Sequence, residues 1–269
     1  MPPTTIDSLQ NPRIKRIRGL AQKRQRDREG LFVLEGEREL ERGLASGVQA
    51  TQVCLCPELF KHDEASEVLH QSLLQGTAPV VYLSRKVFEH VSYRENPDGF
   101  LATCKTFEKR LEDLVLSRNP MLLVLEAVEK PGNLGTILRT ADATAVDAII
   151  LNDPATDLFN PNVIRASAGV VFAVPVVVAS SEETLNFLKT KGIQTLATTP
   201  AAEDLYHQVS LEKPTALLMG SEKDGLSDFW IQRADRQIRM PMLGQADSLN
   251  VSTSTAIVLY EALRQRWLN

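Results

Sequence analysis

The run MLLVLEAV at 121–128 most narrows the folds open to this chain. It does not alternate polar and apolar residues, so a strand there must be covered on both faces, as in a parallel sheet wrapped by helices. Further strand-like runs follow at DAIILND (147–153), AVPVVVA (173–179), IQTLATTP (193–200) and TALLMG (215–220). Another ends at Ile238–Met242, stopped by Pro241, which cannot donate to a ladder. Helical patterns lie between them at LGTILRTADATAV (134–146), NPNVIRASAGVV (160–171, with Pro161 near its first turn) and EETLNFLKTKG (182–192). This alternation predicts an α/β domain with a mostly parallel sheet over 120–269. In such sheets ligands bind in the loops outside the carboxyl ends of the strands.

The last stretch carries its own signals. Leu243–Asn250 is polar, holds Gly244 and lacks periodicity, so it reads as a loop. From Val251 the pattern turns helical, with Ala256, Tyr260, Leu263 and Trp267 on one face. Ser252 and Ser254 suit caps. Arg264 and Arg266 sit in the last turn, where cations suit the helix dipole. The backbone N–H groups at the helix start are unsatisfied. Ser248 and Asn250 beside them read either as a ligand-holding loop or as a capped junction.

Residues 1–108 form a smaller α/β unit. NPRIKRIRGLAQKRQRDREG (11–30) reads as one basic helix with Ile14, Ile17 and Leu20–Ala21 as a thin apolar stripe. Strands follow at 31–36, 51–56, 78–84 and 100–107, with helices at 37–47 and 62–76 and a short one around Val87–Phe88. His62, His70 and His90 are isolated and read as surface or helix-face histidines, so this unit is expected to recognise rather than to catalyse. Residues 109–119 carry the charge of a linker.

Composition removes several classes. No apolar run is long enough to cross a membrane as a helix, and MPPTTIDSLQNPRIKRI lacks the apolar core of a secretory signal. Cys54, Cys56 and Cys104 form no CxxC and the histidines do not cluster, which points to a reducing cytoplasm without structural zinc. The net charge of −4 does not advertise nucleic-acid binding, yet residues 1–30 hold eight Lys/Arg against three Asp/Glu. That local excess is either a phosphate-contacting surface or a solvated helix face.

Three loops of the second domain each follow an apolar strand and combine Gly with hydrogen-bonding residues: KPGNLGTILRT (130–140), LMGSEKDGL (218–226) and MPMLGQADSLNVS (240–252). Their order, spacing and wording resemble the three motifs of the SpoU/TrmH class of RNA ribose 2′-O-methyltransferases, in the SPOUT superfamily. The resemblance covers 120–269. The N-terminal unit resembles the L30-like RNA-binding domain of several members, and the layout is most similar to the ribosomal RNA methyltransferase branch. The resemblance implies a C-terminal SPOUT domain with a parallel sheet and a deep trefoil knot, a homodimer with the active site near the subunit interface, and S-adenosylmethionine as cofactor. The helix with Tyr260 and Trp267 is the candidate interface element, with intramolecular core as the other reading of those aromatics.

Position by position, the resemblance places the first motif on Asn133 and Arg139, the second on Gly220 and Glu222, and the third on Pro241 and Ser248–Val251. The adenosine would be held by backbone groups of Gly220, Met240 and Leu249, with Thr198 and Thr199 lining the pocket. Met240 stands where isoleucine is more frequent and keeps its volume. RASAG (165–169) matches an element near the substrate, with Arg165 meeting an RNA phosphate. The implied catalytic set is Arg139, Asn133, Glu222, Asn250 and Ser248.

The implied reaction moves a methyl group from a sulfonium to a ribose 2′-oxygen. The donor is already activated, so no metal is needed. The family role of the arginine is to take the hydroxyl proton. A guanidinium, however, stays protonated in proteins, so two further roles remain open for Arg139. It can clamp a phosphate and stabilise the developing alkoxide, or it can orient Glu222 as the base. Ribosomal RNA of the large subunit is the expected substrate, with transfer RNA second. A non-catalytic RNA-binding protein of the same fold would have lost the polar loop residues. A dinucleotide-dependent oxidoreductase would show GxGxxG after a strand, and none occurs. A SPOUT enzyme methylating a base nitrogen sits poorly with SLNV and GSEKDG.

Overall fold

The computed structural model describes residues 5–267. Their contacts group into two compact units, the residues up to Phe107 with Asp157–Ala173, and Glu108–Thr156 with those from Val174 onward.

The first unit contains β1 (Thr5–Ile6), α1 (Pro12–Gly19), α2 (Lys23–Glu29), β2 (Leu31–Glu35), α3 (Glu37–Ala45), β3 (Ala50–Leu55), α4 (Glu64–Gln75), β4 (Val80–Leu83), α5 (Arg85–Val91) and β5 (Phe100–Lys105). The strands form one sheet in the order β1-β4-β3-β5-β2, with β5 antiparallel to both β2 and β3. Ile14, Ile17, Val87, Phe88 and Leu101 pack in its core. The single basic helix expected over 11–30 is two helices. Arg26, 3% exposed, explains the break: its Nη1 donates to the carbonyls of Leu20 and Ala21, both at 2.8 Å, and its Nη2 pairs with Asp157 at 2.7 Å. Those carbonyls therefore bond a side chain instead of a next helical turn. The segment 157–173 packs here through Phe159 and Phe172, whose rings lie 4.6 and 5.7 Å from that of Phe32.

The second unit runs β6 (Met121–Glu126), α6 (Pro131–Ala143) and β7 (Ala148–Asn152). The chain then supplies α7 (Pro161–Ala166) to the first unit and returns as β8 (Val176–Val178), α8 (Ser181–Thr190), β9 (Gln194–Thr198), β10 (Asp204–Leu205), β11 (Thr215–Met219), α9 (Asp228–Arg233), β12 (Arg236–Arg239) and α10 (Val251–Trp267). The seven strands pair in parallel in the order β10-β12-β9-β11-β6-β7-β8. All six residues of β6 are buried, as a strand covered on both faces requires. The expected helix over 160–171 stops at Ala166, and Gly169 at φ 82° leads into a separate 3-10 turn.

Two local readings change. Asn133 is not in a loop: α6 begins at Pro131, whose fixed φ and missing N–H suit a first helical position. The cap of α10 is not Ser252 or Ser254, which are buried within the helix. Asn250 serves instead, its Oδ1 accepting from the Ser252 backbone N at 2.9 Å and from Ser252 Oγ at 2.6 Å.

Candidate functional site

A cavity of about 380 Å³ opens in the second unit, lined by Thr198, Thr199, Gly220, Met240, Ser248 and Leu249, with Glu222 also on its wall. Its parts come from the carboxyl ends of β9, β11 and β12 and from the loop before α10, where ligands of parallel sheets bind. All five residues expected to hold the cofactor line it, as do Glu222 and Ser248 of the expected catalytic set.

The loop after β11 is built tightly. Ser221 N donates to the Gly225 carbonyl at 3.0 Å, and Gly225 N donates back to Ser221 at 3.1 Å. A Cβ on Gly220 would lie 2.0 Å from the carbonyl carbon of Gly225 and 2.2 Å from Leu226 N, so glycine alone fits. Beyond the loop, Glu126 at the end of β6 accepts from the Ser227 backbone N and Oγ, both at 2.7 Å. A buried acid thus anchors the start of α9, a role that the apolar reading of the 121–128 run passed over.

Asn133, Arg139 and Asn250 do not line the cavity, but α6 and α10 pack against each other. Asn250 Nδ2 donates to Asn133 Oδ1 at 3.3 Å, while the buried Nδ2 of Asn133 has no partner. Arg139 is exposed on α6, six residues beyond Asn133 and so ~9 Å further along the axis. None of its guanidinium donors meets a described residue. Lys130 Nζ pairs with the Glu222 carboxylate, and this bond raises the lysine above its ordinary pKa. Lys130 escaped the sequence reading because its partner is 92 residues away. Arg165 lies elsewhere, exposed on α7 in the first unit.

Buried Thr198 Oγ1 also lacks a partner, and Thr198 lines the cavity. An unpaired buried hydroxyl is costly, and the cavity volume falls within the ~300–1,000 Å³ of small-molecule sites. A cofactor-sized ligand with polar edges therefore fits the residues present.

The SpoU rRNA methylase family matches residues 120–260, and an MRM3-like substrate-binding domain matches residues 11–102. The chain belongs to the SpoU rRNA methylase family. It is 35% identical over 267 residues to an uncharacterised tRNA/rRNA methyltransferase of Synechocystis sp., covering 98% of this chain and 94% of that protein. It is 31% identical over 255 residues to the 23S rRNA (guanosine(2553)-2′-O)-methyltransferase of Bacillus subtilis, covering 95% of this chain and 97% of that protein. The crystal structure of an AdoMet-bound rRNA methyltransferase from Sinorhizobium meliloti matches with a TM-score of 0.87 and 32% identity over 97% of each chain.

Proposed function

We infer that this chain is an enzyme that methylates a ribose 2′-hydroxyl of 23S ribosomal RNA with S-adenosylmethionine. The observation that carries the reading is the convergence of Thr198, Thr199, Gly220, Met240 and Leu249 on one cavity that contains an unpaired buried hydroxyl. Relatives named as 23S rRNA 2′-O-methyltransferases and an AdoMet-bound neighbour support it.

The backbones of Gly220, Met240 and Leu249 are assigned to the adenosine, with Thr198 and Thr199 beside it. When bound, S-adenosylmethionine supplies a methyl carbon made electrophilic by its sulfonium. The protein has to bring the ribose oxygen in line with that carbon, and orientation can lower the barrier by several kcal/mol. Asn133 and Asn250 are assigned to hold the ribose, with Ser248 at the cavity wall.

Arg139 is assigned to the RNA backbone beside the acceptor, where it clamps a phosphate and stabilises the oxyanion as the proton leaves. Its exposure favours this role over that of a base, which would demand deep burial. Glu222, engaged by Lys130, positions this group of residues. Arg165, on the first unit, contacts RNA outside the cavity.

Two further features belong to this reading. Tyr260 is 52% exposed and Trp267 82% exposed on the outer face of α10, so they are not intramolecular core, and we assign them to a homodimer interface. The passage from β12 to α10 is read as the knotted segment of the SPOUT fold. No helix among the described residues is long and apolar enough to cross a membrane. A ribosomal substrate supports assigning the enzyme to the cytoplasm.

The test is tritium transfer from labelled S-adenosylmethionine to total RNA of a strain lacking the gene, followed by nucleoside digestion. Label in a 2′-O-methylnucleoside of the 23S fraction is the expected result. Label confined to transfer RNA or to a methylated base would overturn the assignment.

A further inference from the structure

The first unit has a cavity of its own, about 220 Å³, beside α1, α5 and α7. Ile17, Val33, Val91 and Ile164 give it an apolar lining. Tyr93 is 44% exposed at its wall and held in place at two points. Its backbone N donates to Glu35 Oε2 at 2.7 Å, and its hydroxyl accepts from Asn162 Nδ2 at 2.9 Å. An aromatic ring fixed at both ends is a rigid platform that loses little entropy when something stacks on it.

Glu35 also lines the cavity and is only 8% exposed. Its two oxygens accept from Tyr93 N and from Ser92 Oγ, one each. A carboxylate oxygen accepts two bonds, so capacity remains for an N–H of an incoming base. Cations complete the wall. Arg94 is spent on Glu39, at 2.6 Å. Arg18 is exposed and steadied by donating to His90 Nε2 at 2.7 Å, and the exposed guanidinium of Arg165 has no partner among the described residues.

An apolar lining, a pinned aromatic, a buried acceptor and two exposed guanidinium groups suit a nucleotide. Proteins read single-stranded RNA by taking unstacked bases onto aromatic and arginine planes. Guanidinium groups also bind phosphate bidentately. The volume lies below the ~300 Å³ at which drug-sized sites begin, which suits one base and not a dinucleotide cofactor.

We propose that this cavity receives one unpaired nucleotide of the RNA substrate, its base against Tyr93 and its phosphates on Arg18 and Arg165. The proposal rests on the RNA-methyltransferase reading and adds to it a second, non-catalytic point of recognition. It gives the segment 157–173 a function in the first unit, because Asn162 fixes the platform and Arg165 supplies a cation.

The experiment measures fluorescence anisotropy of labelled single-stranded hexaribonucleotides of each base composition with the full chain at low salt. Wild type is expected to bind. Tyr93→Ala and the double variant Arg18→Ala/Arg165→Ala should each weaken binding about tenfold, while Tyr93→Phe, which keeps the ring and loses only the bond from Asn162, should bind between wild type and Tyr93→Ala. Thermal melts followed by circular dichroism on the same samples report whether each variant is folded. Equal hexamer affinity for folded Tyr93→Ala and wild type would overturn the proposal. So would failure of wild type to bind any hexamer, or binding of nucleoside monophosphates as tight as that of the hexamers. Tritium transfer by wild type judges the enzymatic reading separately, so failure of the cavity and failure of the enzyme are told apart.

Discussion

Asn250 donates its side-chain amide to the side-chain oxygen of Asn133, 117 residues earlier, while its own oxygen caps α10. One residue thus starts the last helix and ties the third motif to the first. The two jobs use different atoms and can be separated. Asn250→Asp keeps the capping oxygen and loses the donor, so it should hold the melting temperature while lowering kcat. Asn250→Ala loses both and should also cost about 1 kcal/mol of stability. Denaturant melts beside methylation kinetics decide it, and full activity of the Asp variant would reduce Asn250 to a cap.

Arg139→Ala should abolish methyl transfer without changing the melting temperature or the affinity for S-adenosylmethionine, because no described residue bonds the guanidinium. Arg139→Lys should remain strongly impaired, since a point charge does not reproduce a bidentate clamp. Near wild-type turnover by the Ala variant would remove Arg139 from the mechanism.

Gly220→Ala should be more damaging than its size suggests. The added methyl would meet the Gly225 backbone at 2.0 Å, and backbone cannot swing aside as a side chain does. A loss of about 3 kcal/mol and of cofactor binding is expected, read by thermal melting and calorimetry. A variant that melts and binds like wild type would contradict the loop geometry.

Arg266 turns out to be more than a favourable charge at a helix end. Its guanidinium donates to the carbonyls of Leu211 at 2.7 Å, Asn119 at 3.0 Å, Pro120 at 3.3 Å and Lys213 at 2.6 Å. Burial pulls its pKa below the ordinary arginine value, partly offset by Asp147. Arg266→Ala strands several carbonyls and should cost about 3 kcal/mol. A change within ~0.5 kcal/mol in urea melts, as for an ordinary surface charge, would refute the clamp.

The thiols should be inert in the folded protein. Burial pushes Cys54 and Cys104 up to about 12, and burial together with Glu58 raises Cys56. The thiolate is the reactive form, and at pH 8 a thiol of pKa about 12 is ionised in roughly one molecule in ten thousand. Dithionitrobenzoate at pH 8 should label Cys54 and Cys104 only after denaturant is added. Rapid labelling of either one in native protein would show that its burial is wrong.

Replacing Tyr260 and Trp267 together by Asp should convert a dimer to a folded monomer in sedimentation. An unchanged dimer, or a wild-type monomer, would remove α10 from the interface.

Much of the fold is legible in the amino-acid sequence. Runs such as 121–126 and 215–219 are buried on both faces, so composition alone marks them as central strands. The family resemblance carried the five residues named for the cofactor, and at Gly220 the local sequence also records a tight turn that admits only glycine. What sequence could not determine were pairings between distant residues. The break after α1 depends on Arg26 meeting Asp157, and the Lys130–Glu222 pair joins two motifs. Which face of α10 is buried was also undetermined. Ala256, Tyr260, Leu263 and Trp267 form an apolar stripe, yet Val251, Thr255, Val258 and Ala262 face inward. Helical periodicity records which residues share a face, while the neighbour that covers that face, here α6, exists only once the chain has folded.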